Sequence, residues 1–243
     1  MPNLTIGNTV IPYAVRQSAV ATRKRIVVTP GGVEVVVPAG TPAEGKDGVT
    51  GYVHAKRRWV FDAVREIDAK HRTQLAQQYA SGAKLQYRGR GLMLDVRTGD
   101  VEYVEIVCRS KFEVTVPAAL VGDERLDAVR TAFDVWLRGR ALDEIERLGR
   151  VHQEQLGVRV AGFRLSDAKR RWASCGVDGV IRVHWRLIQA PAAALEYVVA
   201  HEVAHLRHRN HGPAFWRTLG RTLPDWAGRK AMLERWEQAR RAV

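Results

Sequence analysis

The clearest chemistry in this 243-residue chain lies near its C-terminal end, in His201-Glu202-Val203-Ala204-His205, the pattern H-E-x-x-H. On a helix, residues four apart sit about 40° from one another around the axis, so both imidazoles project from one face about one turn apart. That spacing suits the ~2.0–2.1 Å Zn–N bonds of a tetrahedral site. Glu202 falls ~60° around from His205, where a carboxylate can take a proton from metal-activated water without ligating the metal. With 8 histidines in the chain, roughly 0.015 such patterns are expected by chance, so the match carries weight.

A third ligand is needed. His211 follows His205 by six residues, and an unbroken helix would point it about 120° away. Asn210 can adopt a left-handed C-cap conformation, and Gly212-Pro213 resists helix continuation, so a turn here could bring His211 back. His208 competes: it shares the ligand face, but its Cα lies ~10.5 Å along the axis from that of His201. His211 is the favoured reading, with His208 as a solvated helix-end cation. Three histidines leave one vertex for water, the arrangement of a catalytic rather than a closed structural site.

The surrounding elements must position these groups. A helix is predicted over roughly 191–210, opened by Pro191 and with Leu195, Val199, Val203 and Leu206 opposite the ligands. That arrangement packs one face on the core and turns the other to a cleft. A hairpin is predicted near 171–187, turning at Val177-Asp178-Gly179. Helices follow over roughly 213–222 and 226–241, separated by Pro224-Asp225. Upstream, strands at 25–29 and 33–37 flank Pro30-Gly31-Gly32, and 52–80 has helical periodicity. Strands return over 82–117, a helix over 123–156 ends at Gly157, and a strand follows near 158–165. No periodic repeat is visible, and the echo of Ala-Lys-Arg-Arg-Trp at 55–59 and 168–172 reads as coincidence.

Composition bounds the rest. Hydrophobic residues make up 46% and charged residues 27%, which suits a globular chain and excludes disorder, collagen and a coiled coil. No apolar run of membrane-spanning length and no signal peptide are read, so a cytoplasmic protein without membrane contact is expected. Cys108 and Cys175 are too few for a disulfide framework and read as reduced thiols, Cys175 as a structural one. The net charge of +13 favours polyanions such as DNA.

Residues 170–236 resemble the YgjP-like metallopeptidase family, relatives of the SprT-like proteins among the zincins. The resemblance rests on Arg171-Trp172-Ala173-Ser174-Cys175, on 179–187, on Ala190-Pro191, on 197–205, on 210–216 and on Pro224-Asp225-Trp226. Residues 1–150 resemble the family more weakly. The family usually has Gly where Ala173 stands and often Asn where His184 stands. The resemblance implies that His201, His205 and His211 bind one Zn²⁺ and that Glu202 is catalytic. It also implies an α+β fold: a zincin-like catalytic domain with its H-E-x-x-H helix over 121–243, behind a β-rich N-terminal portion with one long helix over 1–120.

Arg182, His184 and Arg186 alternate on one predicted strand face, read as solvated or substrate-facing, and could stabilise an oxyanion or bind phosphate. By analogy with zincins, the hairpin is the candidate edge for an extended peptide. Tyr197 could donate to an oxyanion, although a packed core tyrosine is favoured. Trp172, Trp185, Trp216, Trp226 and Trp236 are expected to pack around the ligand helix. The leading expectation is a zinc-dependent peptidase acting on protein or peptide substrates, including proteins bound to nucleic acid as SprT-like relatives do. The alternatives are a metal-dependent nucleoside triphosphate pyrophosphohydrolase and a non-enzymatic, nucleic-acid-binding protein with structural zinc.

Overall fold

The computed structural model describes residues 1–241 as a mixed α/β chain that divides into two compact units, Met1–Gln77 and Gln78–Val243. In the first unit, strands β1 (Asn3–Ile6), β2 (Thr9–Ser18), β3 (Arg25–Thr29) and β4 (Gly32–Pro38) form a sheet of order β1-β2-β4-β3. Val33, Val35 and Val37 of β4 point into the same core as Tyr13 and Ile11, as period-two alternation requires. The predicted helix over 52–80 is two helices, α1 (Val49–Ala55) and α2 (Arg57–Gln78), broken at Lys56. Val49, Val53 and Val60 bury against the sheet.

The second unit opens with β5 (Lys84–Tyr87), β6 (Arg90–Gly99), β7 (Glu105–Cys108) and β8 (Phe112–Pro117), in the order β5-β6-β8-β7. This is the first sheet over again, in the same register. Tyr13 faces Val33 as Leu94 faces Phe112, and Ser18 faces Pro38 as Gly99 faces Pro117. Ile26 faces Val35 as Ile106 faces Val114. The duplication corrects the reading that no repeat exists. Connections of unequal length shift the spacing between matched strands, which hides a fixed period. Its clearest trace is Glu34-Val35-Val36-Val37-Pro38-Ala39 beside Glu113-Val114-Thr115-Val116-Pro117-Ala118. The Ala-Lys-Arg-Arg-Trp echo has no part in it, since one copy spans the α1–α2 break and the other precedes a strand.

Helix α3 (Gly122–Leu156) runs through the second unit and ends at Gly157, whose φ of +59° gives the left-handed cap. Its first half packs Val129 and Phe133 on β5–β8. Its second half packs Ala141, Ile145 and Leu148 into a core shared with the C-terminal helices. For that reason the compact units divide near Gln77 and not at 120/121: β5–β8 share a core with α3.

The C-terminal part comprises β9 (Gly162–Ser166), β10 (Ala173–Cys175), β11 (Val180–His184) and a 3-10 turn (Trp185–Gln189). Helices α4 (Ala192–Ala204), α5 (Pro213–Thr222) and α6 (Trp226–Arg241) follow. The three strands form a sheet of order β10-β11-β9, leaving β10 at one edge. The β5–β6 turn is tied to this part: Arg88 N–H and Gly89 N–H donate to Ile188 O and Gln189 O. Gly89 has φ +77°, and a Cβ there would meet Pro191 Cα at 2.8 Å. No helix among the described residues is long and apolar enough to cross a membrane.

Gly149 of α3 offers a test of this packing. A Cβ there would fall 2.0 Å from Cζ of Phe163 on β9. Gly→Ala inside an open helix gains up to ~1 kcal/mol. Here overpacking reverses the sign, and Gly149→Ala is expected to cost ~1–3 kcal/mol in urea denaturation. Combining it with Phe163→Leu is expected to be less damaging than the two single changes added together.

Candidate metal centre

Helix α4, which carries His201 and Glu202, is buried almost all round, not along one face as its periodicity suggested. Leu195, Val199, Ala200, Val203 and Ala204 are in the core, and Glu202 is only 8% exposed. A helix apolar on all sides belongs in the centre of a domain. It is also shorter than predicted. Its last regular residue is Ala204, with His205 as C-cap. Leu206 N–H and Arg207 N–H then make tighter bonds to Val203 O and Ala204 O, which ends the helix.

This early end lets His211 return. Ring nitrogens of His201, His205 and His211 lie within 4.8 Å of one another, the one group of three or more metal-capable side chains among the described residues. His201 Nε2 and His211 Nε2 are 2.9 Å apart. His208 points elsewhere: its Nε2 lies 3.0 Å from Thr218 Oγ1, while its carbonyl accepts from His205 Nδ1 at 2.9 Å. The second contact holds the proton on Nδ1 of His205 and frees Nε2 as a lone-pair donor. Tyr197 is buried, with its hydroxyl 3.5 Å from His201 Nδ1. It stands behind the His201 ring.

Sequence reasoning missed the floor of the site. Phe215, fully buried at the start of α5, places its ring 4.6–4.8 Å from all three imidazoles. Next to it, Trp216 Nε1 donates to His211 O at 2.9 Å, and its ring stacks on those of His211 and Trp226. Phe215, two residues after Pro213 and next to the expected Trp216, is the signal that could have found it. Arg209 also went unnoticed; its guanidinium donates to Gly176 O at 2.9 Å and ties the segment after the helix to the end of β10.

Burial sets the protonation states. It lowers His201 to about 3, helped by the neighbouring His205 and His211, and burial also depresses His205. Both rings are therefore neutral near pH 7, the state in which imidazole binds a cation. Burial pushes the Glu202 carboxyl up to about 7, against the opposing pull of the Cys175 N–H and the Arg171 charge. Three convergent imidazole nitrogens fit a divalent metal of zinc's preferences.

The remaining expected site residues fall elsewhere. β11 ends at His184, and Trp185–Gln189 coils into a 3-10 turn, so the predicted alternation of 182, 184 and 186 on one solvated face is corrected. His184 is buried, and its Nδ1 accepts from Arg186 N–H at the start of the turn. Arg182 pairs with Asp178 at 2.9 Å across the hairpin turn. Arg186 lies over the Trp185 ring. Cys175 is half-buried, and burial raises its thiol away from the reactive range. Of the five tryptophans, Trp185 is in the core and the other four pack against it.

The Glu202 shift predicts a pH dependence for the metal-free chain. Folded Glu202 ionises only near pH 7, whereas the unfolded group does so near 4.5. Its charge therefore opposes folding above pH 7, and the penalty fades as pH falls toward 4.5. Glu202→Gln is expected to stabilise the metal-free protein by ~2–3 kcal/mol at about pH 8. In melts at stepwise lower pH that gain shrinks to nothing; a pH-independent gain contradicts the burial.

The crystal structure of the metallopeptidase zymogen of Pyrococcus abyssi abylysin matches over 39% of this chain and 93% of that chain, at 22% identity and a TM-score of 0.35. No curated protein sequence matches the chain. The family described as YgjP-like, metallopeptidase domain, matches residues 22–236. That span runs from just before β3 into α6 and includes every residue of the histidine cluster, so the chain belongs to the YgjP-like metallopeptidase family.

Proposed function

We propose that this metallopeptidase-family protein is a zinc-dependent peptidase in which His201, His205 and His211 hold the metal and Glu202 is the general base. The observation that carries the reading is the convergence of three ring nitrogens beside a buried carboxyl poised near pH 7. When bound, the metal supplies Lewis acidity that activates water and polarises a carbonyl. Glu202 takes the proton at its carboxylate and returns it to the departing amine, and a pKa near the working pH suits both transfers. Tyr197 and the His208 carbonyl orient the rings, and Phe215 excludes water beneath them.

The edge strand β10 supports a peptide substrate. Trp172 O and Gly176 N bond inward, to His184 N and Val180 O. By antiparallel alternation, Ala173 and Cys175 turn their backbone groups outward. The Cys175 N–H meets Glu202, which leaves Ala173 to pair with an extended chain. A nucleoside triphosphate hydrolase would call for a carboxylate cluster for a second cation, and the histidine group is the one metal-capable cluster among the described residues.

The test compares the zinc-loaded wild type with Glu202→Gln on a degenerate peptide mixture and on nucleoside triphosphates. Both proteins are expected to hold one zinc by elemental analysis. Only the wild type is expected to cleave peptides, with the variant slower by about 10²–10⁴-fold. Turnover of triphosphates alone, or equal peptide turnover by both proteins, contradicts the proposal. His211→Ala is expected to lower zinc affinity by at least about 10-fold, since it removes a direct ligand; unchanged affinity contradicts the ligand set.

A further inference from the structure

A second concave site lies at the other end of β10. It is a cavity of about 550 Å³ lined by Lys169, Arg170, Arg171, His184, Arg186 and Arg240. Its two carboxylates are already engaged. Asp167 is held by Arg138 at 2.6 Å and by Trp185 Nε1 at 2.9 Å, and Glu237 accepts from Trp172 Nε1. Lys169 and Arg170 form no ion pair among the described residues, and the Arg171 charge bears on Glu202. His184 adds a directed donor. It is 8% exposed, its Nδ1 is occupied by Arg186 N–H, and burial keeps the ring neutral, so the proton sits on Nε2. Nε2 has no partner among the described residues, although His184 lines the cavity. The cavity therefore offers excess positive charge and one neutral N–H.

We propose that this cavity is a specificity subsite for a carboxylate side chain of an acidic peptide bound along β10. The proposal rests on the peptidase reading above and names its substrate class. Arg171 and Trp172 line the cavity and lead directly into β10, whose far end, Cys175, contacts Glu202. Three residues at ~3.3 Å each span roughly 10 Å. A peptide paired with Ala173, with its scissile bond at the metal, thus carries a side chain two or three residues away into the cavity. Planar guanidinium groups recognise carboxylates bidentately. The nearby tryptophan faces are covered, which disfavours a nucleic acid occupant. Arg186 covers the Trp185 ring, and Arg240 covers those of Trp172 and Trp236. Those faces are not open as platforms for stacked bases.

The test uses the full-length Glu202→Gln chain loaded with zinc, so that binding is read without turnover. Labelled extended peptides carrying Asp and Glu, their Asn and Gln counterparts, a Lys version and a single-stranded oligonucleotide of matched charge are titrated by fluorescence anisotropy. The acidic peptide is expected to bind about tenfold or more tightly than its amide counterpart, a difference of ~1.4 kcal/mol. Adding Lys169→Glu and Arg240→Glu is expected to abolish that preference and to favour the Lys peptide, with zinc content unchanged. Equal affinity for acidic and amide peptides overturns the proposal. So does a preference that survives the charge reversal, or an oligonucleotide that binds more tightly than the acidic peptide through the same residues. A parallel digest with the wild type separates the two readings. Cleavage with no acidic enrichment near the cut site overturns the subsite and leaves the peptidase standing. Acidic-peptide binding without any cleavage supports the subsite and removes the peptidase.

Discussion

Burial of α4 is the constraint on which the site depends. Ordinarily a helix carrying two histidines and a glutamate would sit at a surface. This one is packed between α3, α5 and α6 in a core that includes Leu195, Val199, Phe215 and Leu219. Removing these polar groups from water has one cause and two consequences. The imidazoles are driven to their neutral, metal-binding form, and the carboxyl is driven toward its protonated form. Buried polar groups demand partners. Here they include the His208 carbonyl for His205 and the Cys175 N–H for Glu202. The remaining lone pairs are the ones that converge.

The rest of the second unit can be understood as support for that helix. α3 spans two cores, one with the β5–β8 sheet and one with α4, and so couples them mechanically. The β5–β6 turn reinforces the link through its bonds to Ile188 and Gln189, just ahead of α4. The same sheet, in the same register, recurs in the first unit. Two copies of one β-module therefore precede the histidine cluster, and it is the second whose turn is tied to the part of the chain that carries the cluster.

Legibility in the sequence followed the range of the interactions. The H-E-x-x-H helix, the Asp178-Gly179 turn and the Gly157 cap are local, so residue type and spacing reveal them. His211 was legible for a similar reason, because Asn210 and Gly212-Pro213 announce a break. What escaped depends on contacts between distant segments. Phe215 under the imidazoles, Trp216 on the His211 carbonyl and Arg209 on Gly176 all depend on how α4, α5 and β10 meet. Arg186 was misplaced because alternation was extended past His184, where β11 turns into a 3-10 coil, a change of period that the sequence does not mark. The duplicated sheet escaped because strand pairing, not spacing, is what the two copies share.

Zinc K-edge X-ray absorption on the loaded wild type and on His211→Ala probes the donor set itself. The account predicts three nitrogen scatterers and one oxygen at ~2.0–2.1 Å in the wild type, with imidazole multiple scattering that diminishes in the variant. A sulfur scatterer from Cys175, or a wild-type spectrum that His211→Ala leaves unaltered, would contradict it.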